Sequence, residues 1–177
     1  ERRSCLTRRA AGPDLRKQLV AANVDTLFIV TSCNADFNEA RLERFISMAF
    51  EAGTIPVIVA TKADSAEDAA DYVARAEKLS LGQVALAINA RDPEDLKRLD
   101  PWCGPRQTIA LLGSSGVGKT TITNGIAGTT QATAEIREDD ARGRHTTTSR
   151  ALHRIQGGGW LLDTPGMREF GLFDASE

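Results

Sequence analysis

The sequence predicts an α/β fold, with a mostly parallel sheet covered by helices on both faces. Two observations carry this. From residue 25 to residue 128, short apolar runs of strand type alternate with segments of helical periodicity, the rhythm of successive βαβ units. Between one such run and one such helix lies Gly113-Ser114-Ser115-Gly116-Val117-Gly118-Lys119-Thr120, a full match to G-x-x-x-x-G-K-[ST]. A strand, this loop and a helix together form a phosphate-binding unit.

Taken in order, residues 1–23 read as a basic linker that includes a short helix over 13–22, leading into a core domain from 24 to 177. Residues 25–31 (DTLFIVT) are a strand. Residues 36–51 are a helix, because Leu42, Phe45, Ile46 and Ala49 recur on one face, and Gly53 closes it. Residues 55–60 (IPVIVA) are a second strand. Ser65 is placed to cap a helix over 66–79. Residues 83–88 are a strand, 92–99 a shorter helix, and Pro101, Gly104 and Pro105 punctuate the connector to the strand at 108–112. The phosphate-loop helix follows over 119–127. Residues 128–148 are polar and without apolar periodicity, a length that compact domains keep structureless mainly for function. Two strands, 149–155 and 160–162, then form a hairpin across Gly157, Gly158 and Gly159.

Composition sets outer limits. A chain of 177 residues, 41% hydrophobic and 26% charged, suits one globular domain. A net charge of -2 provides no global basic field for nucleic acid. Arg2, Arg3, Arg8, Arg9, Arg16 and Lys17 crowd the start, as a solvated arm or a contact for an acidic partner. Cys5, Cys33 and Cys103 are too few and scattered for a disulfide framework or a metal knuckle, and Cys33 reads as a small buried hydrophobe. No apolar run approaches the length of a membrane span, so no membrane association is expected.

The motifs specify nucleotide chemistry. Glycines let the loop turn tightly and aim its N–H groups at phosphate oxygens. The binding set is Gly113, Ser114, Ser115, Gly116, Val117, Gly118, Lys119, Thr120 and Thr121, with Lys119 reaching the β- and γ-phosphates and the Thr120 hydroxyl on Mg2+. Asp163-Thr164-Pro165-Gly166 fits D-x-x-G at a strand end. Asp163 would hold the metal through water and the Gly166 N–H would sense the γ-phosphate. Thr61-Lys62-Ala63-Asp64 follows a strand directly. The Asp64 carboxylate can accept from the ring N–H and exocyclic amine of guanine together, a donor pair adenine lacks. The Lys62 stem would pack along the base, and the backbone amides of Asn89 and Ala90 would line it. The base-reading elements precede the phosphate loop, the reverse of an ordinary small GTPase, which a circular permutation explains.

In that inverted order, Ala22-Asn23-Val24-Asp25, Thr61 to Asp64, Gly113 to Thr120, Gly143-Arg144-His145-Thr146-Thr147-Thr148 and Asp163 to Gly166 running into Arg168-Glu169-Phe170-Gly171-Leu172 resemble the RsgA/YjeQ family over essentially the whole chain. The resemblance implies a circularly permuted, three-layer P-loop NTPase (Ras-like GTPase) fold, hydrolysis of GTP to GDP with Mg2+, and a late role in maturation of the small ribosomal subunit. Its partners would be that subunit and its rRNA, with hydrolysis faster on the subunit than alone. The family carries an OB-like RNA-binding domain before the GTPase domain and a zinc-binding Cys/His domain after it, so the sequence reads as a trimmed GTPase core with the zinc ligands outside it. A cytoplasmic monomer is expected.

Two departures bear on mechanism. Thr61 stands where the family's base motif usually begins with Asn, and Asn89-Ala90 where it has Ser-Ala. Met167 occupies the position after D-x-x-G from which many GTPases orient water with Gln, a substitution the resemblance implies is shared by the family. His145 is the candidate to supply the missing polar group. One of Thr146, Thr147 and Thr148, with Thr147 preferred, would bind Mg2+ and the γ-phosphate, while Arg142 and Arg144 would contact phosphate or RNA. Switch I is expected at about 129–148 and switch II at about 163–172. His153, in a strand pattern, reads as structural. The competing readings are a P-loop ATPase, which Asp64 opposes, and a catalytically inactive nucleotide-dependent scaffold, which Met167 permits.

Overall fold

Runs of β-branched and apolar residues too long for one-sided burial belong at the centre of a covered sheet, and that is where they lie. The computed structural model describes residues 1–9, 17–128 and 151–163. In chain order its strands are β1 (Cys5–Arg9), β2 (Lys17–Ala22), β3 (Thr26–Ser32), β4 (Ile55–Thr61), β5 (Val84–Ala87), β6 (Thr108–Leu112), β7 (Ala151–Arg154) and β8 (Trp160–Asp163). Its α-helices are α1 (Glu39–Glu51), α2 (Ala69–Glu77), α3 (Pro93–Leu96) and α4 (Lys119–Ala127). The main sheet runs β5-β4-β3-β6-β8-β7. Its strands are parallel except β7, which pairs antiparallel with β8.

Alternation along the strands divides the core into two layers. Leu27, Ile29, Ile58, Ala110 and Leu112 pack with Leu42, Phe45, Ile46 and Ala49 of α1 and Ala76 of α2. Phe28, Val30, Val57, Val59, Ile109 and Leu111 pack with Leu96 of α3 and Ile122 and Ile126 of α4. Neighbouring residues of one strand thus serve opposite faces, and the three-layer α/β architecture follows. Read from β6, the spatial order becomes that of an unpermuted phosphate-loop domain whose chain has been opened before β3. Because β3, β4, β5, β6 and β8 are parallel, Ser32, Thr61, Ala87, Leu112 and Asp163 all end at one edge of the sheet. Ligands of open α/β sheets bind outside that edge.

Three expectations change. Residues 17–22 are not helical: β2 pairs antiparallel with β1, with an irregularity between Leu6 and Thr7. Leu6, Val20 and Ala21 join the core layer under α1, a burial that a partner about fifteen residues away in sequence supplies and local periodicity cannot reveal. Ser65 does not cap α2. Residues 63–65 form a 3-10 turn and Ala66 is extended, so Asp68 caps the helix instead, its side chain accepting from Asp71 N–H at 3.1 Å. The helix expected at 92–99 is α-helical only over Pro93–Leu96 and tightens into a 3-10 segment over Lys97–Trp102. Pro101 within it has no N–H to donate, and its ring disfavours helical backbone at Asp100.

The Asp25 segment ties the opposite edge. Asp25 N–H donates to the Thr108 carbonyl at 2.8 Å, its carboxylate accepts from Thr108 N–H at 2.8 Å, and its carbonyl accepts from Ile55 N–H at 2.9 Å. One residue thereby sets the starts of β3, β4 and β6.

Candidate functional site

The phosphate loop leaves β6 under close constraint. A Cβ on Gly113 would lie 2.1 Å from the Val30 carbonyl oxygen, so only glycine lets the loop leave β6 so close to β3. Gly116 and Gly118 have φ of 77° and 99°, the left-handed region that glycine adopts at no steric cost. Gly118 then stands at the N-cap of α4, directing that helix end at the loop. Lys119 folds back over its own loop: its ammonium donates to the Gly113 carbonyl at 2.6 Å and to the Ser114 carbonyl.

Lys119, Thr120 and Asp163 line one small cavity together with Thr123, Leu111, Leu161 and Leu162. Asp163 reaches it from the last position of β8, opposite Ala151 of β7. A Thr hydroxyl and a carboxylate around a partly apolar cavity form a hard-oxygen donor set of the kind Mg2+ takes together with water and phosphate.

The turn after β4 meets the same loop from the side. Thr61, 1% exposed, places its hydroxyl 2.5 Å from the Val117 carbonyl and 3.1 Å from the Thr31 carbonyl. Its single proton is shared between the phosphate loop and β3. A Cβ on Gly118 would lie 3.5 Å from the Thr61 hydroxyl, so the two turns are in van der Waals contact. Lys62 is left-handed at φ 59° and begins the 3-10 turn that carries Asp64, whose carboxylate is exposed. That turn is joined to the next by Ala63 N–H donating to the Ile88 carbonyl at 3.3 Å. Asn89 and Ala90 therefore lie beside it at the ends of β4 and β5.

The structure thus brings Thr61, Lys62, Asp64, Asn89, Ala90, the loop from Gly113 to Thr121 and Asp163 to one edge. His145, Thr146, Thr147, Thr148, Arg142, Arg144, Gly166 and Met167 lie outside the described residues, as do most of both expected switches. His153 sits in β7 opposite Leu161. Cys33 and Cys103 are buried, and burial pushes their thiols up to about 11 and about 12, with Asp100 adding to the shift at Cys103. Among the described residues no group of His, Cys, Asp and Glu is arranged to hold a metal by itself, and no helix is long and apolar enough to cross a membrane.

Sequence reasoning missed the supports of the site. The chain after Thr31 is one: Thr31 donates from its hydroxyl to Asp36 at 3.2 Å, and Asp36 pairs with Arg41 at 3.0 Å. Another is the glycine hairpin between β7 and β8. A Cβ on Gly157 would meet the Cys103 carbonyl at 2.7 Å, and one on Gly159 the Gly104 carbonyl at 2.6 Å. Gly159 and Trp160 also donate from their N–H groups to the Cys103 and Gln107 carbonyls at 3.1 and 2.8 Å. The three consecutive glycines were the available signal, but only as a turn.

Comparison with known proteins is consistent with this geometry. A family model described as RsgA GTPase matches residues 1–173. The small ribosomal subunit biogenesis GTPase RsgA of Mesorhizobium japonicum is 56% identical, over 98% of this chain and 51% of that protein. Small ribosomal subunit biogenesis GTPase RsgA 2 of Vibrio vulnificus is 52% identical, over 100% of this chain and 51% of that protein. The chain spans about half the length of the curated relatives it matches. Among solved structures, YjeQ from Thermotoga maritima superposes with a TM-score of 0.67 at 22% identity, covering 96% of this chain and 54% of that one. YloQ, described as a circularly permuted GTPase, gives 0.58 at 26% identity, covering 81% of this chain and 45% of that one.

Proposed function

The chain belongs to the RsgA GTPase family, and from that premise we propose that it hydrolyses GTP to GDP and phosphate as a switch in late maturation of the small ribosomal subunit. The observation that supports this most is the junction at Thr61, where a base-reading turn is tied by its own side chain to the phosphate-binding loop. One bound nucleotide then spans Asp64 and Lys119.

The roles follow from the chemistry of each group. Asp64 accepts from the two guanine donors. Loop N–H groups and Lys119 neutralise the phosphates, with phosphate oxygens replacing the Gly113 and Ser114 carbonyls as acceptors for the ammonium. Thr120 and Asp163 hold Mg2+, with Thr147 the proposed third protein group and Gly166 N–H on the γ-phosphate. When bound there, the metal would supply neutralisation of the phosphate charge. Met167 has no group to orient water, and His145 is proposed for that role. Residues 129–148 and 163–172 are proposed as the switches.

The relatives' names support the small subunit as partner, and contact with its rRNA and action in the cytoplasm extend that reading. A monomer is proposed. A zinc site in a Cys/His domain after the GTPase domain, which the family resemblance implies, is proposed as well. The proposed domains are a linker over 1–23, formed by β1 and β2 in place of the expected helix, and a GTPase domain over 24–177.

The test is nucleotide binding and turnover for the wild type and Asp64→Asn, with and without small subunits. GTP is expected to bind far better than ATP, Asp64→Asn to abolish that preference, and turnover to rise with subunits. Equal binding of GTP and ATP by the wild type would return the ATPase reading, and no turnover in any context would return the inactive scaffold.

A further inference from the structure

The turn that would face the base is held by a residue with no assigned role. Asp95, in α3, accepts from the backbone N–H of Asn89 through Oδ2 at 2.7 Å. Its other oxygen lies 3.8 Å from the guanidinium of Arg98, which in turn donates to the Ala87 carbonyl at 2.7 Å. The carboxylate is therefore anchored to the end of β5 and neutralised there. Two more polar atoms of Asn89 are held. Its side-chain oxygen accepts from Arg91 N–H at 3.0 Å, and its carbonyl from Asp92 N–H at 2.9 Å.

This arrangement occupies the N–H of Asn89 and leaves the next one. Ala90 is 8% exposed, and its N–H has no acceptor among the described residues. A donor held in a rigid turn beside the Asp64 turn fits the carbonyl oxygen at position 6 of a guanine ring. Adenine carries an amine there, a donor against a donor. The Ala63–Ile88 hydrogen bond couples the two turns, so the position of one sets the other.

We propose that Asp95, anchored by Arg98, is a positioning residue for base selection: by taking the Asn89 N–H it presents the Ala90 N–H to a 6-oxopurine. This rests on the guanine reading given above. Asp95 touches no ligand and acts through the turn. It also complements Asp64: Asp64 accepts from the donors of the ring, and the Ala90 N–H donates to its acceptor.

The test is equilibrium binding of GDP and ADP to the wild type, Asp95→Ala and Asp95→Asn, with thermal melts alongside. Asp95→Ala is expected to weaken GDP binding roughly tenfold, the loss of one well-placed hydrogen bond, with ADP binding unchanged. Asp95→Asn keeps an oxygen acceptor and is expected to restore most of the GDP to ADP ratio. A lower melting temperature with an unchanged ratio would overturn the proposal, as would Asp95→Asn behaving like Asp95→Ala. A wild type without guanine preference would instead overturn the underlying reading. If Asp95→Ala does not fold, amide exchange on the wild type carries the test. The Asn89 N–H should be protected without nucleotide, and the Ala90 N–H only once GDP is added. Protection of Ala90 by ADP to the same degree would reject the assignment.

Discussion

The Thr61 hydroxyl lies 2.5 Å from the Val117 carbonyl oxygen, across the seam between the turn that carries Asp64 and the phosphate loop. Thr61→Val keeps the shape and removes the proton. The buried Val117 carbonyl then loses a partner, which costs about 1–3 kcal/mol. Denaturant unfolding should show that loss, and guanine nucleotide binding should weaken because the two halves of the site are no longer registered. Unchanged stability and unchanged GDP affinity would contradict this account of the seam.

Glycine is required at Gly113 by contact with the backbone of β3. Gly113→Ala places a methyl 2.1 Å from the Val30 carbonyl oxygen, and neither backbone can move without disturbing β3 or the loop. A cost of about 3–5 kcal/mol and loss of nucleotide binding are expected. Gly104→Ala is the control. Nothing lies within 4 Å of the added atom, so the change should stay within about 0.5 kcal/mol. Similar melting curves for the two variants would defeat the steric argument.

The hairpin glycines should act at a distance. Gly159→Ala pushes against the Gly104, Cys103 and Gln107 carbonyls at 2.6 to 2.8 Å and must shift the start of β8, whose end carries Asp163. The expected result is a higher Mg2+ requirement for GTP hydrolysis, with GDP binding in the absence of Mg2+ less affected. Equal loss in both assays would point to general unfolding.

The buried thiols give a pH dependence with a definite sign. Cys33 and Cys103 keep their protons to about 11 and about 12 in the fold, against an ordinary value of 9.0, because burial penalises the thiolate. The unfolded thiols ionise first. Their contribution to stability is therefore complete below pH 9 and is lost as pH rises toward the folded values. Unfolding free energies measured between pH 7 and 10.5 should decline above about 9, and Cys33→Ala together with Cys103→Ala should flatten that decline. Thiol reagents at pH 8 should label neither cysteine until denaturant is added.

How much of this was legible in the chain differs element by element. β3, β4, β6, α1 and α4 were readable because their apolar residues recur at strand or helix period within a few residues. The phosphate-loop motif and the turn that carries Asp64 were readable because each is a fixed local pattern. β2 was not, since its burial depends on pairing with β1. The start of α2 was misplaced because Ser65 and Asp68 are both acceptable caps, and only the extended backbone at Ala66 decides between them. Asp95 was read simply as part of a short helix, because nothing in its neighbourhood announces a bond to Asn89.

The sequence by itself determined the alternation of strands and helices, the phosphate-loop motif, the place of Asp64 just after a strand and the inverted order of the motifs. Each is encoded by residues within one turn or one strand of each other. The tertiary structure decided which strands adjoin, that Asp163 shares a cavity with Lys119 and Thr120, and that Thr61 and Asp95 brace the turns around them. Those are contacts between segments far apart along the chain. They exist only once burial of two apolar layers has fixed the order of the parallel strands and brought their ends to one edge.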